Sequence, residues 1–172
     1  LTLRGSCGGV EQPAHIPLVV NTKRTDAPAA ARMVVSLADF SVHNIGLMGY
    51  YVNTTFKVRW TQDGSKIVAG LEQLNAGGGT ESSEQHALSE AQKQLRLLGD
   101  TPGRKVVVLI GPEYCVKGER PDCEEQQDAE PIAQELRAAG VTVAAVNGTS
   151  DASLLAASDL DVLNLWDQDL FS

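Results

Sequence analysis

Short, almost wholly apolar segments alternate with amphipathic helical segments along this chain, and the alternation constrains its fold more than any other feature. IPLVVN (16–21) and KVVVLI (105–110) are nearly continuously apolar, so each predicts a strand that other elements cover on both faces. SSEQHALSEAQKQLRLL (82–98) has apolar residues at helical spacing before Gly99, which predicts an amphipathic helix with a glycine stop. Such an order is typical of a mainly parallel sheet between two layers of helices.

Two adjacent strand-like segments break this alternation. NIGLMGYYVN (44–53) and TTFKVRW (54–60) leave room only for a short turn, so we expect a hairpin whose second strand runs antiparallel. We therefore predict an α/β fold, a Rossmann-like, doubly wound, mostly parallel six-stranded sheet with one antiparallel edge strand and helices on both faces. The other predicted elements are helices over 26–40, 65–74, 124–140 and 151–158 and strands over 141–147 and 161–166. Pro131 either kinks the helix over 124–140 or marks its true start.

Size and charge limit the classes of function. The 172 residues fit one domain, with 1–15 as a lead-in loop and 16–172 as the folded unit. The net charge of −8 disfavours a nucleic-acid partner, because such affinity rests on Lys and Arg that neutralise phosphates. No apolar segment approaches the roughly 20 residues that span a bilayer, so membrane insertion is not expected.

The cysteines and two glycosylation sequons favour an oxidising compartment. Cys115 and Cys123 lie eight residues apart in the loop CVKGERPDC. This spacing suits a local disulfide, and the alternative is a pair of free thiols in a cytosolic protein. Asn53 and Asn147 each begin a glycosylation sequon. We therefore predict an extracellular, secreted or cell-surface protein, in which Cys7 is left available to a neighbouring domain.

Three polar or glycine-containing segments are predicted to meet at one edge of the sheet. NTKRT (21–25) follows the first strand, GGGT (77–80) opens the long helix, and GPE (111–113) follows the strand over 105–110. The carboxyl ends of parallel strands share one edge, and ligands of open α/β sheets bind there. This edge is therefore the candidate functional site.

The whole pattern resembles a von Willebrand factor A domain. The resemblance rests on the strand order, on GGGTESSEQHALSEAQKQL (77–95), and on KVVVLI followed at the family's spacing by LRAAGVTVAAV (136–146). It implies a metal-ion-dependent adhesion site, where an Asp-x-Ser-x-Ser motif after the first strand, a threonine of the GGGT loop and an aspartate after the fourth strand hold Mg²⁺ or Mn²⁺. It also implies a final helix after the last strand, which here is either short or cut because the chain ends in DQDLFS.

Position by position, most of that site is missing from this sequence. The first Asp corresponds to Asn21, which is neutral, and the first Ser to Lys23, whose ammonium has no lone pair for a metal. The second Ser corresponds to Thr25 and the loop threonine to Thr80, so both keep a hydroxyl. The last Asp corresponds to Pro112, which has no side-chain ligand. The resemblance thus implies a degenerate metal site that binds neither a metal nor a cofactor.

Nearby acids and Lys23 leave two alternatives open at this edge. Glu113, one position late, and Asp26 supply carboxylates that would partly rebuild a cation site. The acidic run 122–130 is a further Ca²⁺ candidate, although acids before a helix more often stabilise its N-terminus. We hypothesise that the Lys23 ammonium fills the vacated region and meets a partner carboxylate directly. The plainer alternative is a lysine that points into solvent.

These features predict a non-enzymatic protein–protein interaction domain for adhesion or matrix assembly, with metal-independent recognition. The partner would be a matrix protein such as a collagen, a receptor, or further copies of the same chain. Its predicted contacts are Lys23, Glu113, Lys117 and Arg120. The alternatives are a purely structural spacer and a small-molecule or enzymatic domain of the doubly wound class. The sequence contains neither the Gly-x-Ser-x-Gly elbow of serine hydrolases nor a P-loop.

Overall fold

The structure of the protein, a computed structural model, describes residues 13–24, 26–50, 55–74, 84–111, 130–146 and 163–165. The strands in these residues are β1 (Ala14–Asn21), β2 (Asn44–Tyr50), β3 (Thr55–Thr61), β4 (Arg104–Ile110), β5 (Thr142–Val146) and β6 (Leu163–Leu165). The helices are α1 (Ala27–Leu37), α2 (Gly64–Glu72), α3 (Glu84–Leu97) and α4 (Glu130–Ala138). The predicted helix over 151–158 lies outside the described residues.

The strands form one six-stranded sheet in the order β3-β2-β1-β4-β5-β6. β1 is parallel to both of its neighbours, β2 and β4, and β4 is parallel to β5. β3 pairs antiparallel with β2, which confirms the hairpin and the mostly parallel α/β sheet. β6 is also antiparallel, so both edges carry an antiparallel strand where we expected one. The apolar sequence of a short final strand does not distinguish the two directions, because either pairing satisfies it.

Helices cover both faces of the sheet, as predicted. Between the sheet and α1 and α2 lies one apolar core, which contains Leu18, Leu47 and Ile110. The opposite core lies under α3 and α4 and contains Val19, Met48 and Leu109. All eight residues of β1 are buried, because this strand is interior to the sheet and its successive side chains enter opposite cores.

Glycine sets the end of α3. α3 ends before Gly99, whose φ of 55° suits the left-handed stop that glycine provides. The described part of α4 runs from Glu130 to Ala138 and includes Pro131, and residues 124–129 of the predicted helix lie outside the described residues. α1 has Asp26 at its N-cap position, as predicted, but no side-chain capping bond forms there.

The edge strand β3 contains two register shifts against β2. Met48 is opposite Phe56 and Leu47 is opposite Val58, so Lys57 is an extra residue between the two pairs. The second shift lies between the pairs of Leu47 and Ile45. As a result Phe56 and Trp60 pack against the α3/α4 core, whereas Val58 packs against the α1/α2 core. A regular strand would send positions 56, 58 and 60 to one face.

Candidate functional site

The side-chain amide of Asn21 joins the carboxyl ends of β1 and β4. Asn21 is only 2% exposed. Its Nδ2 donates to the carbonyl oxygen of Gly111 at 3.0 Å, and its Oδ1 accepts the backbone N–H of Lys23 at 2.9 Å. The partners dictate this orientation, because the Gly111 carbonyl requires a donor and the Lys23 amide requires an acceptor. The predicted meeting of the NTKRT and GPE segments is therefore confirmed for Asn21 and Gly111.

An aspartate at position 21 would not satisfy these partners. Its carboxylate would still accept from Lys23 but would have no N–H for the Gly111 carbonyl, leaving two acceptors facing each other in a buried position. The loop is therefore built around a neutral amide. The amide oxygen is also the only side-chain atom of Asn21 that could ligate a metal, and here it accepts the Lys23 N–H.

Gly111 lets the end of β4 approach the start of α1. Its φ is 69°, and a Cβ placed on it would lie 2.9 Å from the Cβ of Ala27. Its N–H donates to the carbonyl oxygen of Val146 at 2.8 Å, which ties β4 to the end of β5. The positive φ and the lack of space both require glycine here.

The guanidinium of Arg24 binds the carboxylate of Asp26 at both oxygens. Nε donates to Oδ1 at 3.0 Å and Nη2 donates to Oδ2 at 2.7 Å. The hydrogen bond from Arg24 is the main cause that lowers the pKa of Asp26 below its ordinary value, against a smaller opposing effect of burial. Asp26 is thus an ionised group already paired with a cation. To serve as a metal ligand it would have to give up this forked pair.

A second chain of hydrogen bonds connects the same loop to α3. Thr22 donates both its backbone N–H (2.9 Å) and its hydroxyl (2.7 Å) to the carbonyl oxygen of Tyr50 at the end of β2. The Tyr50 hydroxyl in turn donates to Glu84 Oε1, in the first residue of α3, at 3.2 Å. Sequence reasoning missed Thr22 and Tyr50. The signal for Thr22 was a hydroxyl directly after a buried strand, which is also the pattern of an ordinary turn.

The structure locates only part of the predicted site. Lys23 lies on the exposed side of the loop, and its backbone N–H is the group that bonds Asn21. Within the residues described here, no group of three or more His, Cys, Asp or Glu side chains could hold a metal ion. In the same residues, no helix is both long and apolar enough to cross a bilayer. The remaining predicted positions lie outside the described residues: Thr25, Thr80, Pro112, Glu113, Lys117, Arg120, Cys115, Cys123, Cys7, Asn53, Asn147 and the acidic run 122–130.

Comparison with known proteins identifies the fold. No protein-family model matches this sequence, and no curated protein is similar to it. Among solved structures, the SpRpn10 VWA domain is 14% identical, with a TM-score of 0.57 over 88% of this chain and 85% of that one.

Two larger proteins share the same fold over part of their length. Manganese-loaded TRAP of Plasmodium vivax is 14% identical, with a TM-score of 0.55 over 84% of this chain and 60% of that one. Proximal thread matrix protein 1 of the mussel byssus, with zinc in its MIDAS motif, is 13% identical, with a TM-score of 0.59 over 79% and 36%. The chain therefore spans less than two thirds of either protein. On the strand order, the two helical layers and these similarities, the chain has the von Willebrand factor A fold.

Proposed function

We propose that this protein is a protein–protein interaction domain of the von Willebrand A type, which acts outside the cell in adhesion or matrix assembly and recognises its partner without a metal ion. We propose no enzymatic activity for it. The observation that carries the proposal is the buried Asn21 amide, whose Nδ2 donates to the Gly111 carbonyl and whose Oδ1 accepts the Lys23 N–H. By the resemblance to the family, position 21 corresponds to the first metal-binding aspartate.

The residues that the structure describes at this edge do not fit a Mg²⁺ or Mn²⁺ ion. Hard divalent cations take oxygen ligands and favour carboxylates. Asn21 is neutral, and Arg24 already binds both oxygens of Asp26. Lys23 adds a positive charge on the same loop, which repels a cation. Two proteins with the same fold do hold a metal ion: TRAP is manganese-loaded, and the mussel protein has zinc in its MIDAS motif.

The proposed extracellular setting is supported by the sequence and by one matrix protein with the same fold. The mussel protein with this fold is a thread matrix protein, whereas Rpn10 shows that the fold also occurs in other settings. The sequons at Asn53 and Asn147 and the pair Cys115 and Cys123 favour secretion of this chain. Mass spectrometry of the secreted protein, with and without glycosidase and reductant, tests both expectations.

Thermal unfolding with added ions tests the metal-free proposal. A ligand that binds only the folded state stabilises it by about 2.7 kcal/mol at a hundredfold excess over its Kd. We expect the same Tm in EDTA and in millimolar Mg²⁺, Mn²⁺ or Ca²⁺. A clear rise in Tm with any of these ions would instead favour a site rebuilt from Glu113 or the acidic run, and with it metal-dependent adhesion.

Binding measurements separate an interaction domain from a spacer. We expect the protein to bind a matrix ligand, with fibrillar collagen as the first probe, equally well in EDTA and in Mg²⁺. The triple variant Lys23→Ala, Thr80→Ala, Glu113→Ala should weaken that binding. Lys66→Ala, which removes a lysine that is 66% exposed on α2, is the control and should not. Unchanged binding and assembly in the triple variant would favour the spacer.

A further inference from the structure

Two basic side chains on the edge strand β3 have no partner within the part of the chain that the structure describes. Lys57 and Arg59 are both exposed, and neither side chain forms a hydrogen bond or an ion pair there. Elsewhere in the described residues, Lys66 and Lys93 each lie within 4.0 Å of an acid on their own helix or at its cap. In this part of the chain Arg96 and Arg104 are also exposed without such a partner, but they lie on two different elements, α3 and β4. In a chain with a net charge of −8, two unneutralised cations on one strand form a local basic site.

Among the described strands, β3 is the outermost on its side of the sheet, beside these cations. β3 is hydrogen-bonded to β2, and no other described strand lies on its outer side. An edge strand presents unpaired N–H and C=O groups that accept an extended segment of another chain. The two register shifts place Lys57 as the extra residue of one bulge and Arg59 in the next, so both cations sit where the strand departs from regular pairing.

A fixed aromatic pair lies on the same strand. The rings of Phe56 and Trp60 are 5.9 Å apart at their centroids and tilted by 59°, and both residues are half-buried. Both rings lie over Gly46, where an added Cβ would be 2.7 Å from the Phe56 ring. His15 holds Trp60 from the other side, edge to face, with centroids 6.2 Å apart. The half-exposed rings therefore form an anchoring surface with a defined position.

We propose that the β3 edge, defined as residues 56–60, docks an acidic extended segment of a partner protein. Side chains at alternate positions of an extended segment lie on one face, roughly 6–7 Å apart, and the long side chains of Lys57 and Arg59 extend from neighbouring positions of the edge strand to meet them. Acidic residues at alternate positions would meet Lys57 and Arg59, and an apolar residue would rest on Phe56 and Trp60. This surface is separate from the Asn21 edge, so it adds a second recognition site to the function proposed above.

The charges favour this occupant over the other candidates. A second copy paired through β3 would bring Lys57 and Arg59 against the same cations, and like charges on an edge strand prevent such pairing. A nucleic acid would meet two cations on a protein of net charge −8, and affinity for phosphates needs many more contacts. For an acidic polypeptide segment, the two cations of β3 are enough to form ion pairs with two of its carboxylates.

A peptide titration tests the proposal. The probe is a ten-residue synthetic peptide with glutamate at alternate positions and one central aromatic residue, added to the isotope-labelled protein and followed by NMR. We expect shifts in the backbone amides of 55–61 and in the Trp60 indole. The same peptide with glutamine for glutamate should bind about tenfold more weakly, since each exposed ion pair contributes modestly.

Variants identify the residues responsible. Lys57→Glu combined with Arg59→Glu should weaken the binding of the acidic peptide at least tenfold. The same variant should bind the matching peptide that has lysine in place of glutamate. Arg96→Glu combined with Arg104→Glu changes the net charge equally at two other exposed positions and should leave most of the affinity intact. The proposal is overturned if the peptide does not bind or if the shifts lie elsewhere. It is also overturned if the control variant loses as much affinity, or if a single-stranded oligonucleotide of the same charge displaces the peptide.

Discussion

The Nδ2 of Asn21 and the carbonyl oxygen of Gly111 lie 3.0 Å apart although 90 residues separate them in sequence. This one bond fixes the end of β1 to the end of β4, and through the Asn21 Oδ1 it also fixes the loop that follows. A neutral side-chain amide therefore holds these two segments together.

Asn21→Asp should destabilise the protein at neutral pH by about 1–3 kcal/mol, because a buried acceptor loses its donor. Burial against a carbonyl raises the pKa of the new carboxyl, so the deficit should shrink as the pH falls towards about 4, where the protonated carboxyl recovers an O–H for Gly111. Urea unfolding at the two pH values measures both effects, with the wild type in parallel. Equal stability of the two proteins at neutral pH would show that the amide does not hold the edge together.

Gly111→Ala should cost more than Gly99→Ala, which provides a matched control. Both glycines have positive φ, at 69° and 55°, so each substitution pays a similar backbone penalty of about 1–2 kcal/mol. Only the Cβ at 111 would also meet another atom, the Ala27 Cβ at 2.9 Å, whereas the one at 99 would have nothing within 4 Å. The difference between the two free energies of unfolding isolates this close contact, and a difference of zero would refute it.

The Arg24–Asp26 pair predicts a specific loss of stability in acid. Because the folded state lowers the pKa of Asp26 beneath 3.8, chiefly through the bond from Arg24, its contribution is complete above that value and disappears as the pH falls through the lower folded-state pKa. Asp26→Asn should therefore be less stable than the wild type at pH 7, with the gap closing in strong acid. Melting curves from pH 7 to pH 2 measure the gap, and a gap independent of pH would contradict the assignment.

Gly46→Ala should disturb the aromatic pair on β3. An alanine Cβ at this position would lie 2.7 Å from the Phe56 ring and 3.4 Å from Trp60, so the Phe56 ring must move relative to the indole that it contacts. We expect a loss of about 1–3 kcal/mol, as for other overpacked sites, together with altered indole fluorescence. Trp60→Phe identifies which tryptophan carries the signal. An unchanged spectrum would mean that the rings do not rest on Gly46.

Most of the fold could be predicted because apolar periodicity reports burial. β1 and β4 are largely apolar and lie inside the sheet, and the stripe of α3 with Ala87, Leu88, Ala91 and Leu95 is buried as its spacing indicates. The bulges of β3 could not be predicted in this way. They depend on which face each residue reaches, and that depends on the space above Gly46 rather than on any local pattern.

The candidate site was predicted in its location but not in its bonds. Parallel strands must end at the same edge, so Asn21 and Gly111 could be placed together from sequence. Asp26 was considered both a helix cap and a possible metal ligand, and instead it binds Arg24 two residues before it. Sequence spacing shows that these two charges are near, but only the conformation of the turn decides that they face each other.

The bulges on β3 have a mechanical consequence. Phe56 and Trp60 occupy the space over Gly46 on one side of the sheet, while Val58 fits against Gly70 of α2 on the other. Each glycine leaves space that the opposing side chains fill, and the two spaces lie on opposite faces of the sheet. A shift of β3 by one residue would remove Phe56 and Trp60 from Gly46 and Val58 from Gly70 at the same time. The two contacts together therefore fix the register of β3. Lys57 and Arg59 take part in neither contact. Substitutions at these two positions can therefore change the choice of partner without weakening the attachment of the strand.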